Sequence, residues 1–174
     1  MHLAENRREA FASLASRFKK KKEGSTSTVA LIRPPYNRDE VLFEQFCVSC
    51  EQAFCVEACE QSILALDNKH IPYVLFAKTG CTFCEECVKA CPHQVLMLEE
   101  GTLHCTIKAD FNIDINACVA WKNVVCSACR DVCNDRAVVF FGLFRPVIDM
   151  EKCSACGFCY GVCPVNAIQF KKRV

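Results

Sequence analysis

The chain has 174 residues, and 17 of them are Cys. Cys at this density excludes an ordinary cytosolic enzyme core and leaves disulfides, zinc or iron–sulfur clusters as explanations. The formal net charge of +1 hides an asymmetry. Residues 1–40 hold nine Lys or Arg against five Asp or Glu, whereas residues 41–174 hold twelve against fifteen. The N-terminal segment is therefore a separate, basic element.

Residues 1–24 predict a basic amphipathic helix, because apolar side chains recur there at mainly helical spacing with Arg and Lys on the other faces. The stretch Gly24–Thr28 predicts a flexible joint, and Pro34 and Pro35 keep the next segment extended. Residues 1–40 thus form an expected N-terminal segment and linker. A flexible basic arm suits partner capture; a solvated tail or a membrane-surface anchor is an alternative. The candidate partner-binding residues of this arm are Arg7, Arg8, Phe11, Leu14 and Phe18.

The sequence predicts a cytoplasmic protein. Its longest apolar runs, Ile71–Ala77 and Ala137–Phe144, fall far short of the ~18 residues that a membrane-spanning helix needs. We expect no secretory signal, because Lys19–Lys22 stands where an apolar stretch should follow the basic residues. Membrane contact is then at most peripheral, and Cys in a reducing compartment are expected to bind metal. The Lys run is too short to predict nucleic-acid binding.

From residue 41 onward the chain repeats one cysteine pattern four times. The first Cys of successive groups lie 34, 37 and 35 residues apart, which is an architectural repeat. We expect an α+β fold of two tandem units, residues 41–100 and 112–174, with a linker strand at 101–111. The four groups are Cys47-x2-Cys50-x4-Cys55-x3-Cys59, Cys81-x2-Cys84-x2-Cys87-x3-Cys91-Pro92, Cys118-x7-Cys126-x2-Cys129-x3-Cys133 and Cys153-x2-Cys156-x2-Cys159-x3-Cys163-Pro164.

Secondary structure in such a unit is expected to be sparse. The three residues before the last Cys of each group predict one short helical turn. Short apolar runs after the last Cys predict strands at Val95–Leu98, Ala137–Phe141 and Ala167–Phe170. Pro92 and Pro164 are expected to end the preceding turn.

The second and fourth groups carry the spacing C-x2-C-x2-C-x3-C-P, which is the run of bacterial ferredoxins. Three closely spaced Cys wrap around one [4Fe–4S] cluster, and the fourth Cys ligates the neighbouring cluster. Zinc sites instead use two separated Cys pairs. Two complete copies of the run therefore predict iron–sulfur clusters and two-cluster, ferredoxin-like units. The odd number of Cys weighs separately against disulfides.

The same crossing rule predicts the ligands of four [4Fe–4S] clusters, four thiolates to each. Sixteen of the seventeen Cys are used in this way. The predicted sets are Cys47, Cys50, Cys55 and Cys91 for cluster one, Cys81, Cys84, Cys87 and Cys59 for cluster two, Cys118, Cys126, Cys129 and Cys163 for cluster three, and Cys153, Cys156, Cys159 and Cys133 for cluster four.

Two loops between ligands are enlarged. Residues Glu51–Phe54 separate Cys50 from Cys55, and residues Val119–Val125, with Trp121, precede Cys126. A larger loop changes the N–H···S bonds and the solvent access that tune the potential of a cluster. The alternative is neutral variation, since loops tolerate insertions.

Cys105 is the thiol left over by the four sets. It alternates with Leu103 and Ile107, which predicts a small hydrophobic residue on a buried strand face. A reactive thiol or a substitute ligand is the alternative.

The sequence predicts no catalytic residues. It contains no nucleophile elbow, phosphate-binding loop or dinucleotide fingerprint. Four thiolates to each cluster would also leave no iron open to a substrate. We therefore expect a protein that is not itself an enzyme.

Taken together, the Cys groups and the N-terminal segment resemble the NapF family, the ferredoxin-type accessory proteins of periplasmic nitrate reductase systems. The third group with its x7 gap is the most specific match, and Ile32–Tyr36 after a basic N-terminus is a second shared feature. The x4 step from Cys50 to Cys55, the additional Cys105, and Glu60 and Asn134 in place of Pro depart from the usual pattern.

This resemblance implies a cytoplasmic protein with four [4Fe–4S] clusters. It also implies binding to the catalytic molybdenum subunit of the nitrate reductase before that subunit is exported, and a role in its maturation through cluster assembly or redox state. The basic N-terminal segment is the candidate contact. The alternative function is that of an electron-transfer subunit, which relays electrons within an oxidoreductase complex.

Overall fold

A computed structural model describes residues 31–77, 79–98 and 105–173. The predicted N-terminal helix, with Arg7, Arg8, Phe11, Leu14 and Phe18, lies outside them, and so do positions 101–104 of the predicted linker strand. The described residues form a mixed α+β fold of short helices and small antiparallel sheets. We call the part that carries the first two Cys groups the first unit, and the part that carries the last two the second unit. Their predicted boundaries stay predictions.

The helical elements are one or two turns long. They are α1 at Glu40–Leu42, continued by a π-helical turn at Phe43–Cys47, then α2 at Phe54–Glu57, α3 at Glu86–Lys89, a 3-10 turn at Ala120–Lys122, α4 at Ala128–Asp131 and α5 at Phe158–Gly161. Helices α2 to α5 each begin one residue before the third Cys of a group. The predicted helical turns are thus confirmed, with starts two or three residues earlier than predicted. None of the helices in the described residues could span a lipid bilayer.

The described residues form six strands in three two-stranded antiparallel sheets. They are β1 at Leu64–Leu66, β2 at Pro72–Val74, β3 at Ala109–Ile113, β4 at Val138–Phe140, β5 at Pro146–Ile148 and β6 at Ile168–Lys172. β1 pairs with β2 and β4 with β5, as hairpins, whereas β3 pairs with β6 across the second unit. The strands predicted at Ala137–Phe141 and Ala167–Phe170 are confirmed with shifted ends.

The strand predicted at Val95–Leu98 is wrong. Leu96 makes one isolated bridge with Asn37, and the pairing goes no further. The segment that would continue it contains Pro34 and Pro35, which have no backbone N–H to donate to a ladder. The first unit therefore lacks, within its described residues, the terminal strand pair that β3 and β6 form in the second.

The sequence repeat is also a repeat of backbone conformation. Three residues after the last Cys of every group, the backbone is left-handed, with φ between 51° and 53°. The N–H of that residue donates to the carbonyl of the Cys, which closes a turn. Non-glycine residues adopt this conformation rarely, so four recurrences mark one shared turn. The pairs of left-handed residue and Cys are Ser62 with Cys59, Gln94 with Cys91, Arg136 with Cys133, and Asn166 with Cys163.

One hydrophobic core crosses between the two units. Phe76 of the first unit packs edge-on against Phe111 of β3 and Phe170 of β6, with ring centroids 5.1 Å and 5.0 Å apart. Tyr160 makes a further edge contact with Phe170 at 5.2 Å. Each such pair contributes about 0.5–1.5 kcal/mol beyond its buried area. These four rings, the aromatic cluster, fasten the first unit to the terminal strands of the second.

Replacing Phe76 by Ala is expected to lower the free energy of unfolding by about 3–5 kcal/mol, because the ring is 3% exposed and would leave a cavity between the units. Denaturant unfolding of the anaerobic, iron-loaded protein measures this change. Phe141→Ala is the matched control, since Phe141 is 65% exposed and its loss is expected to change stability by about 0.5 kcal/mol or less. Equal effects of the two substitutions would contradict a core shared by both units.

Candidate metal centres

Four thiols surround a cavity in the first unit, which we call site two. They come from two different Cys groups, because Cys59 ends the first group and the other three begin the second. Apolar side chains, including Ile63 and Leu64 of the first hairpin, complete its wall. The thiols of site two belong to Cys59, Cys81, Cys84 and Cys87.

The second unit holds two cavities of the same construction. Site three lies between α4 and the start of β6, with Ala120 and Ala167 in its wall. Site four lies against the second hairpin and Phe111 of the aromatic cluster. Each cavity again combines three thiols of one group with one thiol of the other. The thiols are Cys118, Cys126, Cys129 and Cys163 in site three, and Cys133, Cys153, Cys156 and Cys159 in site four.

We call the remaining four predicted ligands, Cys47, Cys50, Cys55 and Cys91, site one. Burial, followed by the neighbouring Cys55, Cys91 and Cys50, raises the pKa of the Cys47 thiol to about 12. Burial, Cys91 and Cys50 likewise raise the pKa of Cys55 to about 11. Repulsion of this kind acts between neighbouring thiolates, so these four thiols are neighbours, and their common role as ligands stays a prediction.

Burial is also the largest cause of raised thiol pKa values at the other sites. The pKa of Cys81 rises to about 12, that of Cys87 to about 12, and that of Cys159 to about 12. At site three the pKa of Cys129 rises to about 11, through burial and then through Cys118 and Cys126. Thiolates so placed need a positive charge among them, which bound metal supplies. Within the described part of the chain, no three His, Cys, Asp or Glu side chains converge on a single-ion site.

Backbone N–H groups point at several of the thiols. In the second and fourth groups, the residue two places after the first Cys is left-handed, and its N–H donates to that Cys sulfur at 3.4 Å, from Phe83 to Cys81 and from Ala155 to Cys153. The last Cys of the third and fourth groups also accepts a backbone hydrogen bond at its sulfur. The donors are the N–H of Ala137 to Cys133 and the N–H of Ala167 to Cys163, each at 3.2 Å. Such donors stabilise sulfur that carries negative charge, which fits metal-bound thiolate.

The x7 loop before Cys126 is a folded element. Trp121 donates its indole N–H to the Pro146 carbonyl at 3.1 Å, and Ala120 is 1% exposed. The loop then turns at Asn123, where φ is 63°, and presents Val125 to solvent beside Cys126. It is therefore anchored to the second hairpin, next to site three. Its predicted effect on cluster potential stays a prediction.

The third residue of the x4 loop of the first group is left-handed. Ala53 is buried and has a φ of 40°, and α2 begins directly after it. The corresponding residues of the second and fourth groups, Glu85 and Gly157, are left-handed and precede helices in the same way. The two additional residues thus keep a left-handed residue directly before the helix that carries the third Cys.

Cys105 is half-buried and adjoins Tyr36. Burial raises the pKa of its thiol, and hydrogen bonding with Tyr36 opposes that shift. Tyr36 itself lines site two and donates its hydroxyl to the Phe83 carbonyl at 3.0 Å. The sequence pattern did not single out Tyr36 as a site residue. The one feature of the sequence that pointed to Tyr36 was its position at the end of the Ile32–Tyr36 segment.

The site geometry and two family matches define the class of protein. A 4Fe-4S dicluster domain matches residues 46–95, which contain the first two Cys groups. A 4Fe-4S binding domain matches residues 146–169, which contain the fourth. The chain is thus an iron–sulfur protein of the ferredoxin type.

The comparison with curated proteins then gives its family. The chain is 34% identical to "Ferredoxin-type protein NapF" of Escherichia coli K12 over 142 residues, which cover 79% of this chain and 82% of the relative. The protein of that name from Haemophilus influenzae is 33% identical, with 79% and 77% covered. "Methylamine utilization ferredoxin-type protein MauM" of Methylophilus methylotrophus is 29% identical, with 79% and 68% covered. The chain belongs to the NapF family of ferredoxin-type proteins.

Proposed function

We propose that the protein holds four [4Fe–4S] clusters, one in each of sites one to four, with the four thiols of each site as ligands. The observation that carries this proposal is the composition of sites two, three and four. Each cavity joins three thiols of one Cys group to the last thiol of its partner group. That is the donor set and the crossing that a two-cluster ferredoxin requires.

The clusters would supply one-electron chemistry, and the chain's own residues do the rest. The apolar walls limit the access of water to the sulfur ligands, most of which are half-buried or buried, whereas Cys84 of site two is exposed. The N–H groups of Phe83 and Ala155 stabilise ligand charge at sites two and four. With four thiolates at each site, the iron has no position for an organic substrate, so we propose a protein that is not an enzyme.

We further propose that the protein acts in the cytoplasm on the catalytic molybdenum subunit of a periplasmic nitrate reductase. It would dock on that subunit and assist its cluster assembly or redox maturation before export. Membership of the NapF family supports this role, and so does the basic N-terminal segment as a docking arm. The proposed contact residues are Arg7, Arg8, Phe11, Leu14 and Phe18.

A second candidate function is electron transfer within an oxidoreductase complex. The chain is also similar to a protein named for methylamine utilization, with which 79% of this chain aligns. A chain of this type that occurs in a different system favours a general electron carrier over a role confined to nitrate reductase. Mixing the reduced protein with the catalytic subunit separates the two functions. Rapid electron transfer to a mature subunit supports the carrier, whereas binding confined to the immature subunit supports the maturation role.

Deletion of residues 1–24 is expected to leave the iron content unchanged and to weaken binding to the catalytic subunit, because the deletion removes the docking arm but no Cys. Calorimetry with purified, anaerobic proteins measures the affinity. The full-length chain with Arg7→Glu and Arg8→Glu is the companion variant, and its affinity should fall too if charge carries the contact. A truncated chain that binds as tightly as the intact one would exclude the arm from docking.

A further inference from the structure

The two units touch at their metal-binding loops. The N–H of Cys81, a thiol residue of site two, donates to the carbonyl of Cys156, a thiol residue of site four, at 2.7 Å. Close by, the N–H of Ile107 donates to the carbonyl of Ser154 at 2.9 Å. Sites two and four are therefore joined by one backbone hydrogen bond between their ligand residues.

Two glycines make this approach possible. A Cβ on Gly80 would lie 2.5 Å from the Cys156 carbonyl oxygen and 2.5 Å from the Phe158 nitrogen. A Cβ on Gly157 would overlap the ring of Phe76. Any larger residue at either position pushes the loops apart, because most of the obstructing atoms are backbone or buried ring.

Within each unit, the two sites also share a wall. Helix α2, which carries Cys55 of site one, packs against α3, which carries Cys87 of site two. Helix α4, which carries Cys129 of site three, packs against α5 and its Cys159 of site four. The four sites therefore neighbour one another in the order one, two, four, three.

We infer that the contact of the Cys81 and Cys156 loops, held at its short distance by Gly80 and Gly157, joins the two units into one electron path with sites two and four at its centre. Sites one and three are then the ends at which a donor and an acceptor dock. We call this contact of the two loops the junction. When an electron crosses the junction, the cluster that gives it up is oxidised by one electron and the cluster that accepts it is reduced by one electron. No bond forms or breaks. Gly80 and Gly157 are positioning residues for this transfer. The inference rests on the proposed occupancy of the four sites.

The first test isolates the junction in the full-length chain by replacing Cys47, Cys50, Cys118 and Cys126 with Ala. Sites two and four keep all their thiols, so the expected iron content is about eight atoms per chain. After complete reduction with dithionite, the electron paramagnetic resonance spectrum is expected to show two interacting spins. Two independent signals from a chain with that iron content would overturn the junction and leave the proposed clusters intact.

The second test moves the loops without touching a ligand. Gly80→Ala, in the same chain and in the chain with all its Cys, is expected to leave the iron content unchanged and to weaken the spin interaction and slow spin relaxation. Gly142→Ala is the control, because a Cβ on Gly142 would meet nothing within 4 Å, and the strain from its own φ of 66° would stay in a turn away from the contact of the Cys81 and Cys156 loops. Equal spectra of the two variants would overturn the role of Gly80.

The iron content of the unaltered chain keeps the two proposals apart. About sixteen iron atoms per chain support four occupied sites. A markedly lower value overturns the proposed occupancy of all four sites, whereas the inference about sites two and four is overturned by two independent spins in the chain that fills only those sites. If the chain with the four Cys replaced by Ala fails to load iron, Gly80→Ala is compared with Gly142→Ala in the chain with all its Cys. That comparison then decides whether the junction couples sites two and four.

Discussion

Replacing Cys91 and Cys47 together by Ala is expected to remove one cluster, whereas replacing Cys91 and Cys84 together is expected to remove two. Cys91 follows Cys84 in the second group, but it is a predicted ligand of site one, and its thiol is among those that raise the pKa values of Cys47 and Cys55. Cys84 belongs to site two. The first pair therefore damages a single site, and the second pair damages both sites of the first unit.

Iron and acid-labile sulfide per chain measure the difference. We expect about twelve iron atoms for the first pair and about eight for the second, against about sixteen for the unaltered chain. Both variants lose two thiols, so they are matched in chemistry and differ only in which sites they affect. Cys105→Ala is the control for loss of a thiol outside the four sets. The opposite order of iron contents would mean that each Cys group holds its own cluster without crossing.

Removal of the metal is expected to abolish the folded state. Helices α2 to α5 have four residues each, far below the length at which a helix is stable alone. Buried thiols such as Cys55 and Cys87 belong to the same core as the apolar side chains. The free energy of cluster binding then contributes directly to the free energy of folding, as it does in other small metal-bound domains.

Near-ultraviolet circular dichroism and denaturant unfolding check this expectation under anaerobic conditions. The metal-free chain should lose the near-ultraviolet signal and the cooperative transition, and rebuilding the clusters should restore both. Phe76→Ala in the loaded chain is the comparison, because it removes a core side chain and leaves every ligand in place. A metal-free chain that still unfolds cooperatively would show that the apolar core is sufficient by itself.

The spacing of the Cys residues predicted much of the fold, because a Cys that binds a cluster must occupy a fixed position in a turn of the backbone. The four helical turns follow from the third Cys of each group, and the strands after the third and fourth groups follow from their apolar runs. The same spacing predicted which thiols would meet, and the structure places those of sites two, three and four around three cavities. Their role as ligands stays a prediction.

The features that the sequence did not predict depend on contacts distant in the chain. The strand at Val95–Leu98 was expected from its apolar residues, but its pairing depends on a segment about sixty residues earlier that contains Pro34 and Pro35. The contact of the Cys81 and Cys156 loops joins residues 75 positions apart, and no local pattern announces it. Gly80 looks like an ordinary loop residue until its neighbours in space are known.

The aromatic cluster also has a consequence for the order of events on the ribosome. The first unit leaves the ribosome first, while Phe111 and Phe170, the partners of Phe76, are still being made. Until β6 has emerged, Phe76 lacks its Phe170 partner, and the nascent chain exposes a large apolar ring. The final packing of Phe76 therefore waits until β6, the strand that carries Phe170, has left the ribosome.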